Sequence, residues 1–149
     1  MSKRPLAALD IGEARIGIAI SNEDRTVALA HGTVHVRDGN PIDEIAHFLE
    51  DNDVRTVVVG WPLALDGTEG PAVRRTKQFL VRLKQRCPQI RCVPQDERLT
   101  SSAAEDAMRD MEIRGSHKKD IVDSMAACLI LQMYLDRHAP RDGAAAAAP

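Results

Sequence analysis

Three carboxylates in this chain stand where an aliphatic core should resist them. Asp10 follows the apolar run Leu6-Ala7-Ala8-Leu9, Glu97 follows a short strand-like run at 90–94, and Asp123 lies inside an almost wholly apolar helical stretch, 121–135. A carboxylate withdrawn from water is costly unless a cation compensates it. Any fold must therefore either bring these acids to a shared positive charge or find each a separate partner. A divalent cation is the simplest shared charge, and it points to metal-dependent hydrolysis of phosphodiesters.

Each acid has a plainer reading. Asp10 is also an acceptable turn residue before Gly12. Glu97, between Asp96 and Arg98, reads by itself as part of a solvated charge run ahead of a helix. Asp123 carries the strongest signal, because Val122, Met125, Ala126, Leu129, Ile130 and Met133 surround it. Its plainer reading is a buried Asp paired with Lys118 or Lys119. Asp120, three residues before Asp123, shares its face and reads either as a fourth acid or as a solvated helix-start charge.

A chain of 149 residues fits one domain with a real core. Only four residues are Phe, Trp or Tyr, so that core must be built from Leu, Ile, Val, Ala and Met. The net charge of −2 excludes a global basic signature, and binding to a polyanion must come from local patches. Cys87, Cys92 and Cys128 lack paired metal-ligand spacing and read as reduced thiols. No apolar stretch reaches the length of a membrane span, and Asp10 and Glu13 interrupt any signal-peptide core. A cytoplasmic protein is expected.

The elements read in the order β-β-β-α-β-α-β-α-α. Residues 5–11 and 15–21 are strands around a turn at 12–14. Residues 27–30 and 33–36 form one bent strand or two short ones, broken at His31-Gly32. Asn40-Pro41 starts a helix whose apolar face is Ile42, Ile45, Ala46 and Leu49. The β-branched run 54–60 predicts a strand covered on both faces. Pro71 opens a helix reaching about Arg86, and 90–94 is a further strand. Ser102 with Glu105 makes a capping box for a helix over 103–112. The final helix spans about 118–137, and 139–149 is an Ala/Pro-rich tail expected to be disordered. A meander followed by alternating strands and helices predicts an α/β fold: a mixed sheet with helices on both faces.

The strings LDIGEARIGIAIS (9–21), VVVGWPLALDGTEG (57–70), DERLTS (96–101) and KKDIVDSMAACLILQMYLD (118–136) resemble the YqgF/RuvX family. The resemblance covers nearly the whole chain except the tail, and residues 1–138 are expected to form a single nuclease domain. It implies a ribonuclease H-like fold with a five-stranded mixed sheet, and a nuclease acting on Holliday junctions or on the small-subunit ribosomal RNA precursor. Asp10 matches the acid of the first strand, Glu97 the acid of the DERLT block, and Asp123 the acid of the last helix. These three are the expected catalytic and metal-holding residues, with Mg²⁺ or Mn²⁺ as cofactor. Trp61 departs from a position more often Leu. Resolvases of similar fold act as homodimers, so a homodimer is expected by analogy.

Mg²⁺ takes oxygen ligands and keeps several waters, so few carboxylates suffice and no His is required. Arg15, Arg98, Lys118 and Lys119 border the acids in sequence and are expected to contact phosphates. Arg74, Arg75, Lys77, Arg82, Lys84 and Arg86 form a denser basic helix that reads first as a solvated face and second as support for another nucleic-acid arm. Gly12 and Gly17 superficially suggest a phosphate loop, but no Lys-Ser or Lys-Thr follows, so they read as hairpin glycines. Two rivals remain. A nucleotide-binding module of the actin-like ATPase kind needs two domains around a cleft, for which the chain is short. A non-catalytic nucleic-acid-binding factor in ribosome assembly would bind without cleaving.

Overall fold

The computed structural model describes residues 4–37, 39–64, 66–96 and 118–138, with side chains of the last helix described from Ser124 onward. The helix expected over 103–112 and the tail at 139–149 lie outside the described residues. The elements are β1 (Ala7–Ile11), β2 (Arg15–Ser21), β3 (Ala28–His35), α1 (Pro41–Asp51), β4 (Thr56–Trp61), α2 (Pro71–Arg86), β5 (Arg91–Asp96) and α3 (Lys118–His138). The five strands make one sheet in the order β3-β2-β1-β4-β5. β3, β2 and β1 are antiparallel neighbours, whereas β1, β4 and β5 run parallel. This is the mixed sheet of a ribonuclease H-like fold.

Local chemistry explains the boundaries. Asn40 caps α1 by accepting the Asp43 amide at 3.3 Å, and Pro41 fills the first turn. Of the two readings of 27–36, one bent strand or two short ones, the structure has the first, and the interruption is a β-bulge: Ile18 pairs Gly32 and Ala19 pairs Ala30, so His31 is the extra residue. β5 runs on through Pro94 to Asp96, where the sequence suggests an end at Pro94. An edge strand tolerates proline, because its outer amides need no ladder partner. Glu97 therefore follows the strand end directly.

The alternation of β1 divides the core in two. Ala7, Leu9 and Ile11 join Ile16, Ile18, Val57 and Val59 under α1 and α2, with Ile45, Leu49 and Leu83 fully buried. Leu6 and Ala8 join Ala19, Ala28 and Val58 under α3, which contributes Ala127, Ile130, Leu131 and Leu135. Small residues on this second face let α3 approach closely. Gln132 fixes its position by accepting the Ala28 amide at 2.8 Å and donating to the Thr26 carbonyl at 3.1 Å. Among the described residues, no helix is long and apolar enough to cross a membrane.

Cys87 is fully buried, and Cys92 and Cys128 are partly so. Burial pushes all three thiols above their ordinary pKa. The folded chain thus favours the protonated form, and this contribution to stability is present below the usual thiol range and lost as pH rises through the raised values. Alkylation of the native protein at pH 8 should leave Cys87 unmodified under conditions that label a denatured control fully; equal labelling would contradict the burial. Replacing Leu131 with Ala should lower stability by about 3 kcal/mol in urea unfolding, whereas a loss below about 0.5 kcal/mol would show that α3 does not seal the sheet.

Candidate active site at the carboxyl end of the parallel strands

The direction of α3 decides which residues meet. Its last turns line a pocket with Leu6, Thr56 and Arg91, at the starts of β1, β4 and β5. The helix therefore runs opposite to β1, and its first turns lie toward the strands' carboxyl ends. From the shared level of Leu6 and Leu135, Asp10 is roughly 13 Å along β1 at about 3.3 Å per residue. Asp123 is roughly 18 Å back along α3 at 1.5 Å per residue. Backbone positions 10 and 123 thus occupy the same end of the sheet. β5 delivers its terminus, Asp96, to that end as well, paired with Trp61 of β4.

Asp10 is half-buried between buried Leu9 and Ile11, on the central strand. By the alternation of β1 its side chain shares the face of Leu6 and Ala8, the face that α3 covers. Its cross-strand partner is Gly17. On the other side, one step beyond the Leu9–Val59 pair, comes Gly60. Both neighbours are glycines, so neither adjacent strand sets a side chain beside the carboxylate. In the sequence Gly17 reads as a hairpin residue and Gly60 as the end of an apolar run; the pairing register makes them the floor beside Asp10.

Gly60 pairs in turn with Gln95. Gln95 is only 4% exposed, and its Nε2 has no hydrogen-bond partner among the described residues. A buried donor left unmade costs about 1–3 kcal/mol, and such residues concentrate where a fold serves something other than stability. Sequence reasoning misses Gln95. The signal that could find it is a polar residue in the last stretch of a strand, directly before Asp96 and Glu97.

The turn after Asp10 is held tightly. Gly12 donates its amide to the Arg15 carbonyl at 2.9 Å, and a Cβ on Gly12 would lie 2.7 Å from that same oxygen. Only glycine lets the hairpin close here. The closure places Arg15, half-buried and paired with His35, just beyond Asp10 at the carboxyl edge. Glu13, on the turn, meets Arg75 of α2 at 3.8 Å. Beyond β4, Glu69 accepts from Lys77 at 2.7 Å, and this hydrogen bond holds its carboxyl below the usual range.

Of the residues singled out by sequence, Asp10 and Arg15 therefore lie at the same end of the sheet. Lys118, Lys119, Asp120 and Asp123 occupy the first turns of α3, outside the described side chains. Glu97 and Arg98 lie outside the described residues. Among the described residues, no group of three or more His, Cys, Asp or Glu is close enough to hold a metal ion.

The family model described as "RuvX: Holliday junction resolvase" matches residues 4–137. A protein of Acetivibrio thermocellus named "Putative pre-16S rRNA nuclease" is 42% identical over 130 residues, covering 86% of this chain and 92% of that protein. A protein of Nitrosospira multiformis bearing the same name is 40% identical over 133 residues, covering 87% of this chain and 86% of that one. Among solved structures, T. thermophilus RuvC in complex with a Holliday junction substrate superposes with a TM-score of 0.57 at 14% identity, covering 91% of this chain and 96% of that chain. That likeness shows the fold.

Gly12→Ala should cost roughly 1–3 kcal/mol through the forced backbone shift and should move the amide resonances of residues 10 and 15. An unchanged thermal midpoint and spectrum would contradict the close approach.

Proposed function

This chain belongs to the RuvX family of Holliday junction resolvases, and we propose that it is a metal-dependent nuclease hydrolysing phosphodiester bonds in structured nucleic acid. The observation that carries the reading is the half-buried Asp10 at the carboxyl end of the central strand, with glycine on both sides and the first turns of α3 at the same end. In α/β sheets this is where ligands are bound.

The three acids Asp10, Glu97 and Asp123 hold Mg²⁺ or Mn²⁺. The donor set fits, because carboxylate oxygens are hard ligands and no His or Cys belongs to it. A divalent ion bound there supplies an activated water and charge stabilisation at phosphorus. The protein's own part is positioning. Gly17 and Gly60 leave the substrate backbone room beside Asp10. Arg15, Arg98, Lys118 and Lys119 contact phosphates and offset the repulsion between a polyanion and three acids. Asp123 is in helical phase with Ala127, whose side chain faces the sheet.

The names of the curated relatives favour precursor 16S ribosomal RNA as substrate. The family description favours a four-way junction. The substrate is one or both of these, cut by a nuclease unit of residues 1–138 working in the cytoplasm, where thiols stay reduced. A homodimer suits a junction, which needs two symmetric cuts. The non-catalytic alternative, a ribosome-assembly factor, predicts binding without product.

A side-by-side assay on a precursor 16S fragment and a four-way junction decides between them. Wild type with Mg²⁺ or Mn²⁺ should cleave at least one. Asp10→Asn, Glu97→Gln and Asp123→Asn should each lower the rate by roughly 10²-fold or more, the range lost with one key electrostatic group, and chelation with EDTA should abolish it. Undiminished cleavage by Asp10→Asn would remove the mechanism, and binding without product would favour the alternative.

A further inference from the structure

Helix α2 carries a groove of about 500 Å³ lined, among the described residues, by Arg75, Gln78, Phe79, Val81 and Arg82. The volume lies within the range of small-ligand sites, about 300–1,000 Å³. Its contents are unusual for a helix surface. Phe79 packs on the core yet is only partly buried, and Val81 is 58% exposed. Arg75 Nε is buried with no hydrogen-bond partner among the described residues, although its Nη1 reaches Glu13 at 3.8 Å. Arg82 is exposed and makes no ion pair among the described residues, in contrast to Lys77 and Arg86 of the same helix.

We infer that this groove binds one unpaired nucleotide of a nucleic-acid strand, with the base on Phe79 and Val81 and the flanking phosphates on Arg75 and Arg82. Residues 75 and 82 are separated by roughly 10 Å along the helix at 1.5 Å per residue. They therefore hold two different phosphates rather than gripping one, and the apolar surface lies between them. No acid lines the groove among the described residues, so its charge is complementary to a phosphodiester. Aromatic faces accept any base, which suits a site reading structure rather than sequence. The groove also adjoins the site, because Arg75 contacts Glu13 on the turn that directly follows β1 and Asp10. The inference rests on the nuclease reading and extends it, by making an unpaired nucleotide near the cleavage point part of the recognised substrate.

The test uses the full chain with Ca²⁺ in place of Mg²⁺ and two RNA stems, one with a single unpaired 2-aminopurine nucleotide and one fully paired. Arg82→Ala should weaken binding of the first stem about tenfold, and should make the slope of log affinity against log salt shallower by about 0.7, the loss of one phosphate contact. Phe79→Leu, which keeps most of the core volume, should weaken the first stem about tenfold, as loss of one stacked base does. It should weaken the paired stem less and remove the quenching of 2-aminopurine. If both variants bind as wild type while Asp10→Asn still stops cleavage, the groove is refuted and the nuclease reading survives. If wild type binds neither stem, the groove is refuted, and the nuclease reading rests on cleavage of the precursor fragment and the four-way junction. If the variants instead convert a dimer to a monomer in sedimentation with RNA binding intact, the groove is an interface between copies of this chain and the inference is overturned.

Discussion

The packing of α3 against the sheet, antiparallel to β1, is the constraint on which the rest depends. Ala8, Ala19 and Ala28 keep the sheet surface low, and Ala127, Ile130, Leu131 and Leu135 fill the space above it. Gln132 locks the register by bonding both the Ala28 amide and the Thr26 carbonyl. With that register set, the polar first turns of α3 can lie only at the carboxyl ends of β1, β4 and β5. A reversed helix would carry Asp123 to the opposite edge, beside the pocket formed by Leu6, Thr56 and Arg91, and the acids would have no common ground.

The parallel half of the sheet does the complementary work. Antiparallel strands alternate their ends, so the meander alone delivers Asp10, Arg15 and the end of β3 at His35 to one edge. The parallel β1-β4-β5 arrangement adds Trp61 and Asp96 to that same edge. The glycines follow from this geometry. Gly17 and Gly60 are neighbours of Asp10 across two strands, and a side chain at either would occupy the volume beside its carboxylate. Helix α2 reaches the edge from the other face through Arg75 and Glu13.

Much of the fold is legible from local chemistry. Asn40-Pro41 and Pro71 mark helix starts by capping and fixed φ, and the run at 54–60 announces a strand buried on both faces. The misses have physical causes. At 27–36 the sequence leaves one bent strand or two short ones open, because one unpaired residue at His31 interrupts alternation as a turn does. The continuation of β5 through Pro94 is hidden, because only tertiary context tells an edge strand from a strand end. At the site, the residue types are visible but their company is not. Gly60 becomes a neighbour of Asp10, and Gln95 of Gly60, only through pairing register, which no local pattern encodes. The basic helix α2 reads as a solvated face; the structure pairs Lys77 and Arg86 with acids and leaves Arg82 without one among the described residues.

The central claim is that acids far apart in sequence share one divalent ion at the carboxyl end of the parallel strands. Anomalous diffraction from crystals of the protein grown with Mn²⁺ tests it most directly. The account predicts a strong peak bounded by the carboxylates of Asp10, Glu97 and Asp123. Ordered carboxylates pointing to separate surfaces, with no manganese between them, would contradict it.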